Sequence, residues 1–321
     1  MAVSPDISVL INTYNRPQAL VKAVAALSRQ QGADPGRMEI VIVDDGSATS
    51  PAPALGEANL LGLVRLERRP HAGPSAARNA ALGLARGQWI IFLGDDIVAH
   101  SGLVAAHMRL LTEAPEAKRM SLGHCRWEMG RVSPPLRELA QVHHYEGLAP
   151  GQKLGFRYFY TANVALPRRA VDEAGLFDPV FDEGFEEGCV SYGWEDIELG
   201  YRLLRAGWEL IYNPSAAADH IHPRMSVADV IRRQAEIGFG ACRLYAKYGT
   251  PEVARVAFWP GTREASPGPE WRRRLGCAAA EALERVAPRS RLLRRVYARL
   301  FFSARCKGVA EAKRAFPNAG I

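Results

Sequence analysis

Several short segments of this chain are apolar almost to their ends and then stop at polar or acidic residues. The clearest are ISVLIN (residues 7–12), EIVIVDDGS (39–47) and WIIFL (89–93), the last followed by Gly-Asp-Asp. Continuous apolar runs, without alternation of polar residues, are typical of strands that helices cover on both faces. Helical patterns fall between the runs: one opens at Pro17, and the Ala-rich segment 73–87 ends at a glycine. The sequence therefore predicts an α/β fold on a mostly parallel sheet.

The charge distribution divides the chain in two. Residues 223–321 contain 20 Lys and Arg against 8 Asp and Glu, whereas the whole chain of 321 residues has a net charge of +7. We therefore predict one domain over residues 1–222 and a basic, mainly helical C-terminal region over residues 223–321. Within it, segment 291–305 carries apolar side chains on one helical face and arginines on another. Such a helix either packs on its own domain or rests on an anionic membrane surface.

The composition also limits the partners and the compartment that we expect. No apolar run reaches the length of about 18 residues that spans a membrane, and the N-terminal sequence lacks the pattern of a signal peptide. The five cysteines are scattered and form no C-x-x-C pair, which argues against a disulfide framework and a thiolate zinc site. No nucleic-acid-binding motif accompanies the basic charge. We expect a cytoplasmic protein without a nucleic-acid partner, at most peripheral at the inner face of the membrane.

Two pairs of adjacent carboxylates follow predicted strands. Asp44 and Asp45 end the second apolar run, and Asp95 and Asp96 follow WIIFL. In open parallel sheets, ligands bind outside the carboxyl ends of the strands. Adjacent carboxylates repel each other unless a positive charge lies close by, and a hard divalent cation with oxygen ligands supplies that charge. Each aspartate could instead cap a following turn. With two such pairs at one sheet edge, the sequence favours a cation site.

The motifs of the first two-thirds of the chain resemble those of family 2 glycosyltransferases with the GT-A fold. They lie between about residues 5 and 222 and occur in the family's order: SVLINTYNRP, EIVIVDDGS, GPSAARNAALGLARGQWIIFLGDDI, WEDIELGYRLLRAG and DHIH. The resemblance implies a nucleotide-binding, Rossmann-like domain that inverts the sugar carbon while moving a sugar to an acceptor hydroxyl. It implies a nucleotide-diphosphate sugar as donor, with a UDP-sugar favoured, and a glycan, lipid-linked or other acceptor in bacterial glycan or glycolipid biosynthesis.

The resemblance also assigns residues to the nucleotide-sugar site. The matching positions are Thr13, Tyr14, Asn15, Arg16, Asp45, Arg78, Asp95, Asn163 and Trp194. Asp45 would accept a hydrogen bond from a uracil-like N–H, and Asp95 would contact the ribose. Arg78 would lie near the pyrophosphate, which suits its cationic fork. Asn163 would contact donor or acceptor, and Trp194 would either face the sugar or belong to the core.

The metal site that the resemblance implies depends on the segment Gly94-Asp95-Asp96 and on DHIH. Asp96 is expected to hold the divalent cation, Mn²⁺ or Mg²⁺, at the position of the family's Asp-x-Asp motif. The two histidines of DHIH alternate and so face one side of an extended segment. Imidazole is a suitable ligand for manganese. His220 is the stronger candidate for completing the metal shell, and His222 is the weaker one.

The catalytic carboxylate is expected in the segment WED. Asp196 matches the family's base, with Glu195 beside it, although acidic residues also favour the first turn of a helix for electrostatic reasons. An inverting transfer requires a carboxylate within hydrogen-bond reach of the acceptor hydroxyl.

Other functions are less consistent with the sequence. A nucleotidyltransferase would need a Gly-rich, Lys-containing loop after the first strand, where this chain has NTYNRP, and a dinucleotide oxidoreductase would need G-x-G-x-x-G there. A protein that keeps the fold without turnover stays open as an alternative, although Asp96, Asp196 and His220 speak against it.

Overall fold

The computed structural model describes residues 5–129, 144–183, 193–222, 226–258, 261–262, 264, 266–287 and 289–321. The chain forms two compact units, which we describe separately. The first contains the described residues up to 128 together with 144–179 and 195–221. The second contains the C-terminal helices together with 180–183 and 193–194. The second unit begins again at residue 222, next to the boundary predicted from the charge, but it also takes in these two earlier segments.

Four parallel strands form one half of the sheet of the first unit. They are β1 (Ile7–Thr13), β2 (Met38–Asp44), β3 (Val64–Arg68) and β4 (Trp89–Leu93), in the order β3-β2-β1-β4. Val9, Ile42 and Ile91 are completely buried, as expected for strands that are covered on both faces. The helices that follow the strands are α1 (Pro17–Leu27), α2 (Ala52–Glu57) and α3 (Pro74–Leu84).

The other half of the sheet differs from the prediction of a mostly parallel arrangement. It contains β5 (Ile97–Ala99), β6 (Arg119–Met129), β7 (Lys153–Leu154), β8 (Asn163–Pro167) and β9 (Glu209–His222). The order continues from β4 through β8, β6 and β9 to β5, and β8 runs antiparallel to β4. All five residues of β8 are buried, so burial on both faces is compatible with either strand direction. The α/β class is confirmed, and the parallel arrangement holds for β3-β2-β1-β4.

A buried polar network joins this half of the sheet to α4 (Leu103–Thr112). The His107 side chain is fully buried; its Nε2 lies 2.8 Å from Asn163 Oδ1 and its Nδ1 2.8 Å from Ser121 Oγ. Asn213 Nδ2 donates to the same serine hydroxyl at 3.1 Å. Burial lowers the pKa of His107 to about 4, so the ring is neutral at neutral pH and these contacts satisfy both of its nitrogens.

The remaining helices of the first unit are α5 (Arg168–Ala174) and α6 (Glu195–Arg205). Those of the second unit are α7 (Val227–Tyr248), α8 (Pro251–Ala257), α9 (Glu270–Val286) and α10 (Arg291–Ala315). Helix α7 begins with a capping box between Ser226 and Asp229. Helix α10 packs closely along α7: a Cβ added at Gly238 would come within 2.6 Å of Arg305 O.

Most of the apolar face of α10 is covered by the protein itself. Leu293 and Tyr297 are fully buried, and Phe301 and Leu300 are 1% and 5% exposed, whereas Leu292 at the start of the helix is 57% exposed. This burial favours the alternative in which the helix packs on its own domain, and membrane contact through α10 stays a prediction. In the described part of the chain, no helix has both the length and the apolar character that crossing a bilayer requires.

Candidate active site

The carboxyl ends of the parallel strands bring the sequence-predicted residues to one edge of the sheet. Thr13 pairs in register with Asp44, and Asp45 N donates to Thr13 O at 2.9 Å. The loops that follow these two strands are linked directly. Asn15 N donates to Ser47 Oγ at 2.8 Å, and Ala48 N donates to Asn15 Oδ1 at 2.8 Å. Asn15 adopts a left-handed φ of 55° in this turn, which asparagine tolerates better than most residues.

Asp95 and Asp96 form a buried acidic pair at the end of β4. Each is 7% exposed. Thr13 Oγ1 donates to Asp95 Oδ2 at 2.7 Å, and Arg16 Nη1 lies 3.4 Å from Asp95 Oδ1 and 2.9 Å from Asp96 Oδ2. Burial, followed by the neighbouring Asp96 charge, raises the pKa of Asp95 to about 6. The guanidinium of Arg16 offsets the repulsion between the two carboxylates.

His220 joins Asp96 through strand pairing. In β9 it is paired with Ile97 of β5, just after the acidic pair, and Ile221 N donates to Asp96 O at 2.8 Å. His220 Nε2 lies 3.2 Å from Asp96 Oδ2. The Trp127 ring stands against the imidazole at a centroid distance of 4.8 Å and an angle of 73°. A carboxylate oxygen and an imidazole nitrogen therefore converge at this edge of the sheet.

This pair is not a complete protein metal cage. Among the residues that the structure describes, no group of three or more His, Cys, Asp or Glu side chains has a metal-binding arrangement. His222 is the last residue of β9, but its side chain falls outside the described part, so its predicted role as a ligand stays a prediction.

Asp45 lies under an aromatic pair at the end of β2. Its carboxylate accepts hydrogen bonds from Ala72 N at 2.9 Å and Gly73 N at 3.0 Å, and His71 Nδ1 lies 2.8 Å from Oδ2. The His71 ring stacks on Tyr14 with centroids 4.2 Å apart and planes 12° apart. The Tyr14 ring is 43% exposed, so a flat stacking surface is open to solvent beside Asp45.

His71 was missed by the sequence reasoning. It follows β3, whose carboxyl end lies at the same edge of the sheet as those of β1, β2 and β4. The strand-end rule that selected Asp45 and Asp96 would have selected His71 had the third strand been included.

Arg78 contacts the predicted catalytic segment. Its Nη1 lies 2.7 Å from Glu195 Oε1, and its guanidinium lies over the Phe177 ring, 5.5 Å from the centroid. Glu195 is 4% exposed. The sequence prediction put Arg78 near a pyrophosphate, whereas the ion pair observed here commits part of its guanidinium to the first residue of α6.

Asp196 is held by backbone and side-chain donors at the start of α6. Ile197 N donates to its Oδ1 at 2.8 Å, and Thr161 N lies 3.3 Å from its Oδ2. The next residue, Ala162, accepts a hydrogen bond of 3.1 Å from Gly94 N at the end of β4. Asp196 and the Asp95–Asp96 pair therefore flank the same strand end. Burial, followed by the Glu195 charge, raises the pKa of Asp196 to about 7.

Two predicted residues make contacts in the interior of the protein. Asn163 is completely buried; its Oδ1 faces His107, and its Nδ2 donates to Ala216 O at 2.9 Å. Since both polar groups are used inside the core, we leave Asn163 out of the site. Trp194 belongs to the second unit, where its ring lies against α7: a Cβ added at Gly240 would come within 2.6 Å of Trp194 Cδ1.

Comparison with known proteins identifies the family of the chain. Residues 8–169 match the sequence profile of the family described as Glycosyl transferase family 2. The chain is 26% identical over 260 residues to the pre-mycofactocin glycosyltransferase of Mycobacterium tuberculosis, covering 76% of this chain and 48% of that protein. It is 30% identical over 237 residues to the succinoglycan biosynthesis protein ExoO of Rhizobium meliloti, covering 71% and 64%. The chain thus spans about half to two-thirds of the length of these relatives.

Solved structures share the fold. The mannosyltransferase PcManGT of Pyrobaculum calidifontis, in complex with GDP-Man and Mn²⁺, superposes with a TM-score of 0.60 at 15% identity, covering 98% of this chain and 88% of that chain. TarS of S. aureus, residues 1–349, gives a TM-score of 0.55 at 16% identity, covering 97% and 90%. The likeness to both is one of fold. With the family profile covering half of the chain, the chain belongs to glycosyltransferase family 2 and has the GT-A fold.

Proposed function

We propose that this chain transfers a sugar from a nucleotide-diphosphate sugar to an acceptor hydroxyl, with inversion at the sugar carbon and with the help of a divalent metal. The observation that carries the proposal is the arrangement around the end of β4. The Asp96–His220 pair lies on one side of this strand end, and Asp196, with a pKa near neutrality, is tied to the other through Thr161 and Ala162.

The donor base would stack on the exposed Tyr14 ring. One face of the ring stacks on His71, and His71 in turn contacts the Asp45 carboxylate. A carboxylate has about four lone-pair sites, and Asp45 uses three of them for His71, Ala72 and Gly73. Among the described residues no further donor contacts Oδ1, so this site could accept the N–H of a uracil ring, which supports a UDP-sugar as the favoured donor.

The residues at the end of β4 fit a divalent cation. Asp96 would provide an oxygen ligand and His220 a nitrogen ligand, a combination that Mn²⁺ accepts readily and Mg²⁺ less so. With two ligands from the chain, the other coordination positions are left to diphosphate oxygens and water. When bound, the ion would stabilise the negative charge on the leaving diphosphate. Complexes of PcManGT and of GalNAc-T7 contain Mn²⁺, which supports this assignment.

Asp196 is the proposed base. As the acceptor oxygen forms its bond to the sugar carbon, the bond from that carbon to the diphosphate oxygen breaks, and the acceptor proton passes to the Asp196 carboxylate. A carboxyl with a pKa of about 7 is ionised in part at neutral pH and still holds a proton well, which is the compromise that general-base catalysis favours. Glu195, paired with Arg78, supplies charge beside the base.

The acceptor is a hydroxyl of a glycan, a lipid-linked sugar or another molecule. The relatives include the succinoglycan biosynthesis protein ExoO and the hyaluronan synthase of Pasteurella multocida. These names support a setting in bacterial glycan assembly.

A donor-binding panel tests the proposal. UDP-, GDP- and dTDP-sugars are titrated calorimetrically with Mn²⁺ and with a chelator, and sugar release or transfer is followed by proton NMR, which reports the anomeric configuration. We expect one nucleotide to bind tightly only with the metal and the product to be inverted. Release of pyrophosphate from a nucleoside triphosphate and a sugar phosphate would instead make the chain a nucleotidyltransferase.

A further inference from the structure

Helix α9 is covered far less than the other long helices of the second unit. Of its 17 residues only Ala280 is buried, whereas α10 buries nine of its 25. Its inner side meets α10 at Gly276, where an added Cβ would come within 2.7 Å of Leu300 Cδ2. The opposite side of α9 faces solvent.

The exposed side of α9 carries a continuous apolar stripe. Trp271, Leu275 and Val286 are 57%, 62% and 79% exposed, and the alanines between them are exposed as well: Ala278, Ala279 and Ala282. At about 100° per residue, these six positions lie within roughly 60° of Leu275 around the helix axis. A soluble helix normally turns such a stripe toward its own core. Here it points outward over the whole length of the helix.

The charges around the stripe are of one sign. Arg272 lies about 60° to one side of Leu275, and Arg285 and Arg274 lie about 80° and 100° to the other. The three acidic residues of the helix, Glu270, Glu281 and Glu284, lie at least about 120° away. The outward face is therefore apolar along its centre and has arginines along both edges. The acids lie further round the helix, and one of them, Glu270, is 3.9 Å from the edge residue Arg274.

Trp271 adds a feature that is typical of lipid interfaces. Its ring is exposed, and the Arg272 guanidinium lies 5.3 Å from its centroid. Tryptophan is enriched where the headgroups of a bilayer meet the acyl chains, and arginine beside it can contact lipid phosphates while its stem covers apolar surface. A second copy of the chain fits this face poorly, because stripe-to-stripe contact would bring the arginine edges together without acids to pair them.

We propose that the outer face of α9, and not the buried apolar face of α10, binds the surface of an anionic lipid bilayer. The apolar stripe would sink to the level of the headgroups, and the flanking arginines would contact lipid phosphates, as in other interfacial helices. This surface is independent of the strand-end site, so the proposal does not depend on the transferase activity.

Vesicle sedimentation with the full-length chain tests the proposal. Vesicles of phosphatidylcholine alone are compared with vesicles that also contain phosphatidylglycerol, at low and high salt. The informative variant is Leu275→Glu. Its matched control is Leu63→Glu, the same substitution at a leucine that is 52% exposed in the first unit. We expect wild type and Leu63→Glu to bind the anionic vesicles in a salt-sensitive way. Leu275→Glu should bind about tenfold more weakly, because a leucine that would enter the lipid interface is replaced by a negative charge, which anionic lipids repel.

Three results would overturn the proposal. The first is equal vesicle binding by Leu275→Glu and Leu63→Glu, and the second is no vesicle binding by wild type. The third is a dimer of wild type, measured by light scattering without lipid, that Leu275→Glu dissociates and Leu63→Glu does not, since the stripe would then be a protein interface. Circular dichroism of both variants checks that the fold is kept, as expected for substitutions at exposed positions.

Discussion

Arg78 and Glu195 form an ion pair of 2.7 Å although 117 residues separate them in the sequence. The pair is adjacent to Asp196, whose pKa the Arg78 charge lowers and the Glu195 charge raises. Burial is the main cause of the raised pKa of Asp196, and these two neighbours of opposite sign adjust that pKa further. Arg78 joins α3, in the parallel half of the first unit, to the start of α6.

Opposite pH shifts are expected when this ion pair is broken from either side. In Arg78→Met, the acidic limb of the pH profile of kcat/KM should move to higher pH, because Asp196 loses a cation that favours its ionised form. In Glu195→Gln, the limb should move to lower pH, because a repelling charge is removed. The measurement is the transfer rate across the range around pH 7. Superimposable profiles for both variants and wild type would show that this pair does not govern the base.

Asp196→Asn should separate catalysis from binding. The amide keeps the size of the carboxylate but cannot accept the proton, so transfer should fall by roughly 10²–10⁴-fold. Donor affinity measured by calorimetry should stay the same, since the proposed donor contacts come from Tyr14, Asp45 and Asp96. Loss of donor binding together with activity would instead make Asp196 a structural residue of the α6 start.

The free energy of unfolding of Asp196→Asn should increase relative to that of wild type as the pH rises. The folded pKa of Asp196, about 7, lies above the ordinary value of 3.8, so the folded state binds the proton more tightly than the unfolded state. Stability is then lost as the pH rises from about 4 through 7, by up to about 4 kcal/mol. Asp196→Asn removes this loss. Urea unfolding at pH 5 and pH 8 should show a smaller decrease for the variant, and equal decreases would contradict the raised pKa.

His107 should destabilise the protein in acid. Its pKa in the folded state, about 4, lies below the ordinary value of 6.5. The neutral ring therefore contributes its full stabilisation to the free energy of unfolding above pH 6.5, and this stabilisation is lost as the pH falls toward 4. The loss amounts to about 3 kcal/mol. A His107→Gln variant should start less stable at pH 7 but lose less on acidification, as measured by urea unfolding. His124→Gln, at a half-buried histidine in the same sheet, serves as the comparison.

The proposed metal ligands are tested by a matched pair of histidine variants. Asp96→Ala and His220→Gln should abolish the gain in nucleotide affinity that Mn²⁺ gives, while the thermal midpoint without ligand stays close to that of wild type. His222→Gln, two residues further along β9, should keep most of that gain. Calorimetric titration with and without a chelator makes the measurement. A full metal effect in His220→Gln would remove His220 from the site.

Stacking of the donor base is tested at Tyr14. Tyr14→Ala should weaken nucleotide binding by about tenfold or more, because stacking of a base on an aromatic ring contributes about 1–3 kcal/mol. Tyr14→Phe keeps the ring and should bind nearly as well as wild type. Equal affinities of the alanine and phenylalanine variants would place the base elsewhere.

The sequence by itself determined the parallel half of the fold and much of the strand-end site. Continuous apolar runs require burial on both faces, and burial on both faces requires the crossover helices whose patterns lie between the runs. Since the carboxyl ends of parallel strands lie at one edge of the sheet, Tyr14, Asp45 and Asp96 had to come together there. The parallel strands and the position of these residues follow from the local apolar pattern and from the chain direction, and both can be read from the sequence.

The tertiary structure alone decided which distant residues complete the site. β8 runs antiparallel to β4, and β9 runs antiparallel to β5. His220 of β9 thereby comes within 3.2 Å of Asp96, Asn163 of β8 is buried, and Thr161, just before β8, lies within 3.3 Å of Asp196. Burial of a strand on both faces is compatible with either direction, so the sequence could not specify these contacts.

The two amphipathic helices of the second unit illustrate the same limit. Both α9 and α10 have an apolar face beside arginines, and the sequence left open whether segment 291–305 packs on its own domain or rests on a membrane surface. In the structure α10 packs along α7 and buries that face, while α9 keeps its stripe exposed. Amphipathic periodicity determines that a face must be covered, but the competition among helices for the available core decides which face is covered by the protein itself.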